Sequence, residues 1–161
     1  MSQPYMVALM SELLELRGSE RVLEVGSGSG YQTAVLAQLA GELYTIERVG
    51  PLLARALVVL QRLGYGNVRA RVGDGVVGWR DAGPFERILV AAASPTVPPA
   101  LRAQLADNGI LVMPVGPDGH VQHLEVVRRC GECFTVTTEV ACRFVPLVRS
   151  GGGDQAMPAE A

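Results

Sequence analysis

Apolar side chains recur in two alternating rhythms along the first two thirds of the chain. Met6, Leu9, Met10, Leu13 and Leu14 fall at helical spacing and predict a helix over residues 5–17, closed at Gly18. Arg21 to Val25 reads as a short apolar strand, and Tyr31 to Leu39 as a second helix that ends at Gly41. Leu43 to Glu47 predicts the next strand. Pro51 stands where a first helical turn accepts proline, and the helix continues over Leu52 to Leu63 before Gly64. Val68 to Val72 and Arg87 to Ala92 predict a third and a fourth strand. Pro99 to Leu105 then predicts a short helix before a strand over Ile110 to Val115.

Strands that alternate with helices of this length imply parallel βαβ units in a three-layer α/β sandwich. After Val115 the rhythm changes. Only Gly116-Pro117-Asp118-Gly119-His120 precedes the next run, Val121 to Arg129, and a turn around Gly131 leads into Phe134 to Val148. Neither link has the dozen residues that a parallel crossover needs, so the sheet is expected to end as an antiparallel meander. The chain reads as one domain over 1–149, with a Gly-rich polar tail over 150–161 expected to be disordered.

Composition narrows the setting. The chain has 161 residues, 48% hydrophobic, with a formal net charge of −2 and no basic stretch, so nucleic acid is not an expected partner. All fourteen cations are arginine, which excludes lysine Schiff-base chemistry and a P-loop lysine. No apolar run reaches 18 residues and the N-terminus lacks a signal-peptide layout, so no membrane association is expected. Three cysteines fit a reducing compartment, and the chain is read as cytoplasmic and monomeric.

The chemistry gathers at Val22-Leu23-Glu24-Val25-Gly26-Ser27-Gly28-Ser29-Gly30, a glycine loop between a strand and a helix. Such a loop turns sharply and lets a ligand approach the backbone, at the strand ends where open parallel sheets bind ligands. Glu47, at the end of the second strand, can accept both hydroxyls of a ribose. Three details favour S-adenosylmethionine over a dinucleotide. The spacing is Glu-x-Gly-x-Gly-x-Gly, with the third glycine one residue earlier than in G-x-G-x-x-G. Glu24 places a carboxylate near an amino group and a sulfonium, where a pyrophosphate would be repelled. Asp74, in Gly73-Asp74-Gly75, can meet the adenine amine at the end of the third strand. Against these stand plainer roles: Glu24 as a polar residue paired inside the strand, and Asp74 as a turn aspartate.

Ser2-Gln3-Pro4-Tyr5-Met6, Val22 to Tyr31, Gly73-Asp74-Gly75, Ala91-Ala92-Ala93 and Phe144-Val145-Pro146-Leu147 together resemble the protein-L-isoaspartate O-methyltransferases, over about residues 2–148. The resemblance implies a Rossmann-like methyltransferase sandwich. It also implies that Ser2 is the active-site hydroxyl and that Ser29, Glu47, Arg48, Gly73 and Asp74 line the cofactor site beside Glu24, Gly26, Ser27, Gly28 and Gly30. The implied substrate is the free α-carboxylate of an L-isoaspartyl residue in a damaged protein or peptide. With a pKa of about 3.5 it is ionised at neutral pH and needs no general base.

Helix N-capping is an equally good role for Ser2. Members of the family carry several dozen residues before this serine, whereas Met1 immediately precedes it here. A fragment or a natural short form is therefore expected, with cofactor binding retained and methyl transfer weak. Two further readings are a methyltransferase for aspartate carboxylates of another peptide, and a cofactor-binding module with little catalysis. Cys130-Gly131-Glu132-Cys133, with His120, His123 and Cys142 nearby, lacks a second C-x-x-C. It is read as surface and core cysteines rather than a zinc or redox centre, and no metal is expected.

Overall fold

The computed structural model describes residues 3–148; Ser2 and the 150–161 tail lie outside the described residues. Seven strands form one sheet in the order β3-β2-β1-β4-β5-β6-β7. β1 (Arg21–Val25), β2 (Glu42–Glu47), β3 (Val68–Val72), β4 (Phe85–Val90) and β5 (Leu105–Val115) pair in parallel. β6 (Gln122–Cys130) and β7 (Cys133–Cys142) complete the expected antiparallel meander.

Neighbouring residues on the central strands feed two apolar clusters, one on each sheet face. Val22, Leu43, Leu89, Ile110 and Val126 pack with Met10 of α1 (Pro4–Leu13) and with Leu36 and Ala37 of α2 (Tyr31–Leu39). Leu23, Tyr44, Ile88, Leu111 and Val127 face the other way, onto Leu101 of α4 (Pro99–Ala103), with Trp79 and Ala82 packed against them. α3 (Gly50–Arg62) turns Leu53, Ala56 and Leu60 inward. The period-two alternation of the strands thus yields three layers.

Several element bounds differ from the sequence pattern: β4 runs two residues earlier than Arg87 to Ala92, the short helix ends at Ala103 rather than Leu105, and α3 and β6 shift by one or two residues. α1 stops at Leu13 rather than Arg17, because the Arg87 guanidinium donates to the carbonyls of Leu14 and Glu15 while the Glu20 carboxylate accepts the amides of Arg17 and Gly18. No α-helix separates β3 from β4; two 3₁₀ turns, Gly75–Val77 and Arg80–Ala82, make that crossover. β5 begins at Leu105, and an irregularity between the Phe85–Leu105 and Arg87–Ile110 pairs accommodates Asn108 at φ 59°. β7 ends at Cys142, not Val148. Beyond it the Phe144 amide donates to Gln122 Oε1, and the chain leaves the meander to form a parallel bridge between Pro146 and Ala93.

Candidate active site

The candidate site lies where β1, β2, β3 and β4 end side by side. β1 finishes at Val25, and the Gly26 amide donates to the Ile46 carbonyl of β2 at 2.8 Å. Gly26, Gly28 and Gly30 have φ of 91°, 53° and 85°, so the loop turns through left-handed conformations that side chains rarely adopt. Gly30 caps α2 at close quarters, where a Cβ would stand 3.0 Å from that of Ala56. A Cβ on Gly28 would meet nothing within 4 Å. The loop therefore presents open backbone on that side.

Glu47 ends β2 and is buried. Its Oε2 accepts the Gly28 amide at 2.9 Å and its Oε1 the Val49 amide at 3.0 Å. A carboxylate has about four acceptor positions, so each oxygen keeps capacity for one more donor. The Glu47 carbonyl accepts the Gly73 amide at 3.0 Å, which draws the end of β3 alongside. Asp74 Oδ1 then accepts the Val76 amide at 2.8 Å and caps the first 3₁₀ turn, the plain turn role weighed above. Gly75 is essential to this approach, since a Cβ there would lie 2.2 Å from Val25 Cγ1 and 3.4 Å from Leu147 Cδ1.

Glu24 lies beneath this surface with no solvent exposure. Both Thr33 Oγ1, in the first turn of α2, and Thr45 Oγ1, its register partner on β2, donate to Oε2 at 2.7 and 2.6 Å. Oε1 has no partner, and neither does the buried hydroxyl of Ser27. Burial pushes the Glu24 carboxyl up to about 7; the Thr45 and Thr33 hydrogen bonds oppose this, and the charge of Glu47 adds to it. Glu24 is thus paired within the sheet as well as close to the loop.

Two motifs far apart in sequence close the other side of the site. The Ala93 amide donates to the Val145 carbonyl at 2.8 Å, and the Leu147 amide to the Ala93 carbonyl at 2.6 Å. Ser29 and Arg48 stand exposed beside the loop and β2. Hydrogen bonds therefore tie Gly28 and Gly73 to Glu47 and Gly26 to the adjacent Ile46, with Asp74 adjoining. Ser2 lies outside the described residues.

Sequence reasoning passed over Thr33, Thr45 and Gln104. Thr45 was detectable as the polar interruption of Leu43-Tyr44-Thr45-Ile46. Gln104 has no such signal, yet its buried amide accepts the Trp79 amide and donates to the carbonyls of Val77 and Ala100, which anchors the loop after Asp74.

The sequence profile of the protein-L-isoaspartate(D-aspartate) O-methyltransferases matches residues 1–152. The chain is 58% identical to the protein-L-isoaspartate O-methyltransferase of Anaeromyxobacter dehalogenans, over 91% of this chain and 71% of that one. It is 50% identical to the Trichlorobacter lovleyi protein of the same name, over 94% of this chain and 70% of that one. A solved protein-L-isoaspartate O-methyltransferase superposes with a TM-score of 0.84 at 27% identity, covering 94% of this chain and 48% of the other. A second solved structure is from Plasmodium falciparum, described as a putative enzyme of that kind in complex with S-adenosyl-L-homocysteine. It gives 0.77 at 27% identity, over 93% and 76%. The open backbone at Gly28, the two orphaned polar atoms and the spare acceptor capacity of Glu47 suit that nucleoside, and S-adenosylmethionine is the cofactor. With its fold, its clasped glycine loop and these similarities in agreement, the chain belongs to the protein-L-isoaspartate(D-aspartate) O-methyltransferase family.

Proposed function

We propose a residue-level account of how this chain carries out its reaction, methyl transfer from S-adenosylmethionine to the α-carboxylate of L-isoaspartyl residues in damaged proteins and peptides. When bound, the cofactor supplies an electrophilic methyl group on a positively charged sulfur. Glu47 accepts the two ribose hydroxyls on the lone pairs left over by Gly28 and Val49. Asp74 receives the adenine amine, and Gly73 leaves the space beside it. Gly26, Ser27, Gly28, Ser29 and Gly30 line the methionine end, and Glu24 favours the positive charges above it. Arg48 flanks the ribose from the exposed side.

The acceptor carboxylate is ionised at neutral pH, so no residue need remove a proton from it. What the protein supplies is alignment and the exclusion of water. We assign Ser2 to orienting that carboxylate with one hydrogen bond, on the family resemblance of Ser2-Gln3-Pro4. In the methyl ester the carbonyl carries methoxide, a far better leaving group than the oxygen of a carboxylate. The neighbouring backbone amide nitrogen can therefore attack it, expel methanol and close a succinimide, which hydrolyses in part to normal aspartate. The observation that carries the cofactor account is the Gly28–Glu47 clasp, which holds the loop and the ribose acceptor in one piece.

The test is transfer of a radiolabelled methyl group to an isoaspartyl peptide beside its aspartyl twin. Label on the isoaspartyl peptide alone is expected; label on the aspartyl twin would overturn the substrate assignment. The odd number of cysteines and the charge of −2 favour a cytoplasmic setting with no nucleic-acid partner. Among the described residues no helix is long and apolar enough to cross a membrane. A monomer acting away from membranes completes the proposal; sedimentation and membrane fractionation test those two points.

A further inference from the structure

Cys130-Gly131-Glu132-Cys133 is the one sequence motif that this function leaves unused. Its geometry goes beyond the plain surface role read from sequence. Cys130 ends β6 and Cys133 opens β7, and the two are direct cross-strand partners. Only Gly131 and Glu132 separate them, and Gly131, the first central residue of the turn, has φ 59°. That is the arrangement of a tight type II′ hairpin.

The turn is fastened to the sheet. The Gly131 amide donates to Asp107 Oδ1 at 2.6 Å, Arg129 Nε donates to the Gly131 carbonyl at 2.9 Å, and Arg129 Nη1 reaches the Leu105 carbonyl at 2.6 Å. Directly opposed residues on antiparallel strands have Cα atoms about 4.5–5.5 Å apart and side chains on the same sheet face. A disulfide spans Cα separations of about 4.4–6.8 Å, a range that covers such cross-strand partners. Both thiols are free and exposed.

Cys142 stands apart. It pairs with Gln122 at the other end of β7, nine residues beyond Cys133, which at strand spacing is roughly 30 Å away. It is half-buried, and burial pushes its thiol up, which lowers its reactive fraction.

We propose that Cys130 and Cys133 form a reversible dithiol–disulfide site that exchanges with small-molecule disulfides of the glutathione class. In the first step one cysteine thiolate attacks a sulfur of the small disulfide. A mixed disulfide forms, and one small thiol leaves. The second cysteine then attacks the cysteine sulfur of that mixed disulfide, closes the hairpin bond and expels the other small thiol. The two cysteines give up two electrons and two protons, and the small disulfide, reduced to two thiols, takes up both. The hairpin lies at the amino end of β5, away from the glycine loop, so closure leaves the cofactor site intact.

The test incubates the folded protein with oxidised glutathione, removes it, and alkylates the denatured chain for mass analysis. One of the three cysteines should then be alkylated, with the chain lighter by two hydrogens and free of glutathione; a thiol reductant should restore all three. Cys142→Ser should still close the bond. Cys130→Ser and Cys133→Ser, each lacking its resolving partner, should retain one glutathione on the cysteine that remains. S-adenosylhomocysteine affinity should be the same in oxidised and reduced protein. Stable glutathione adducts on the wild-type pair, or full alkylation throughout, would overturn the proposal.

Discussion

The Gly28 amide donates to Glu47 Oε2 at 2.9 Å, across the gap between the end of β1 and the end of β2. The carboxylate thereby fixes the loop and keeps acceptor capacity for a ligand. Glu47→Ala removes both, and S-adenosylhomocysteine should bind more weakly by about 1.5–3 kcal/mol, the range for hydrogen bonds to charged groups. Titration calorimetry showing unchanged affinity would reject the ribose assignment.

Two glycine substitutions should separate folding from binding. Gly75→Ala drives a Cβ to 2.2 Å from the buried Val25 Cγ1, and overpacking of this kind should cost about 1–3 kcal/mol in urea unfolding. Gly28→Ala meets no protein atom within 4 Å. Its left-handed backbone should cost about 1 kcal/mol. Cofactor affinity should fall on the order of tenfold, about 1.4 kcal/mol. Equal losses of stability and affinity in both variants would contradict this division.

Glu24 should make stability depend on pH. Its carboxyl is raised by burial from an ordinary 4.5 to about 7. Below 4.5 it is protonated in folded and unfolded chains alike; between the two values only the unfolded chain ionises. Its contribution is therefore fully present at low pH and lost as pH rises through about 7. Glu24→Gln stays neutral, so its stability relative to wild type should grow by about 3 kcal/mol between pH 4.5 and pH 8. Denaturant unfolding at several pH values checks this, and a difference that shrinks as pH rises would refute it.

Gln104→Leu leaves the Trp79 amide and the Val77 and Ala100 carbonyls without their partner. Each unsatisfied buried group costs about 1–3 kcal/mol, so unfolding free energy should drop by at least the lower figure. Faster hydrogen exchange at the Trp79 amide should accompany the loss. Protection there equal to wild type would show that Gln104 does not anchor the loop.

Strand alternation, glycine positions and link lengths were enough to read the parallel core and the antiparallel end from the sequence, because each follows from local periodicity. The second helix and third strand fall on the expected residues, Tyr31–Leu39 and Val68–Val72. What escaped depends on contacts distant in sequence. Nothing near Leu14 announces that Arg87, more than seventy residues away, will hold its carbonyl and end the helix. The Phe144 to Leu147 run looks like more of β7 until Gln122 and Ala93 draw it aside. That Glu47 would stand beside the glycine loop was legible from residue type and spacing. The pairing of Glu24 with Thr33 and Thr45 was not, since it needs three elements brought together.

The bridge between Pro146 and Ala93 also sets an order of events during synthesis. The glycine loop, Glu47 and Asp74 all lie in the first half of the chain, and can meet as soon as the strands that carry them pair. The wall opposite them cannot. Leu147, which reaches to within 3.4 Å of where a Gly75 Cβ would stand, is made more than seventy residues after Gly75. A nascent chain thus holds a half-built cleft until the stretch that carries Pro146 and Leu147 has been made and can bridge to Ala93.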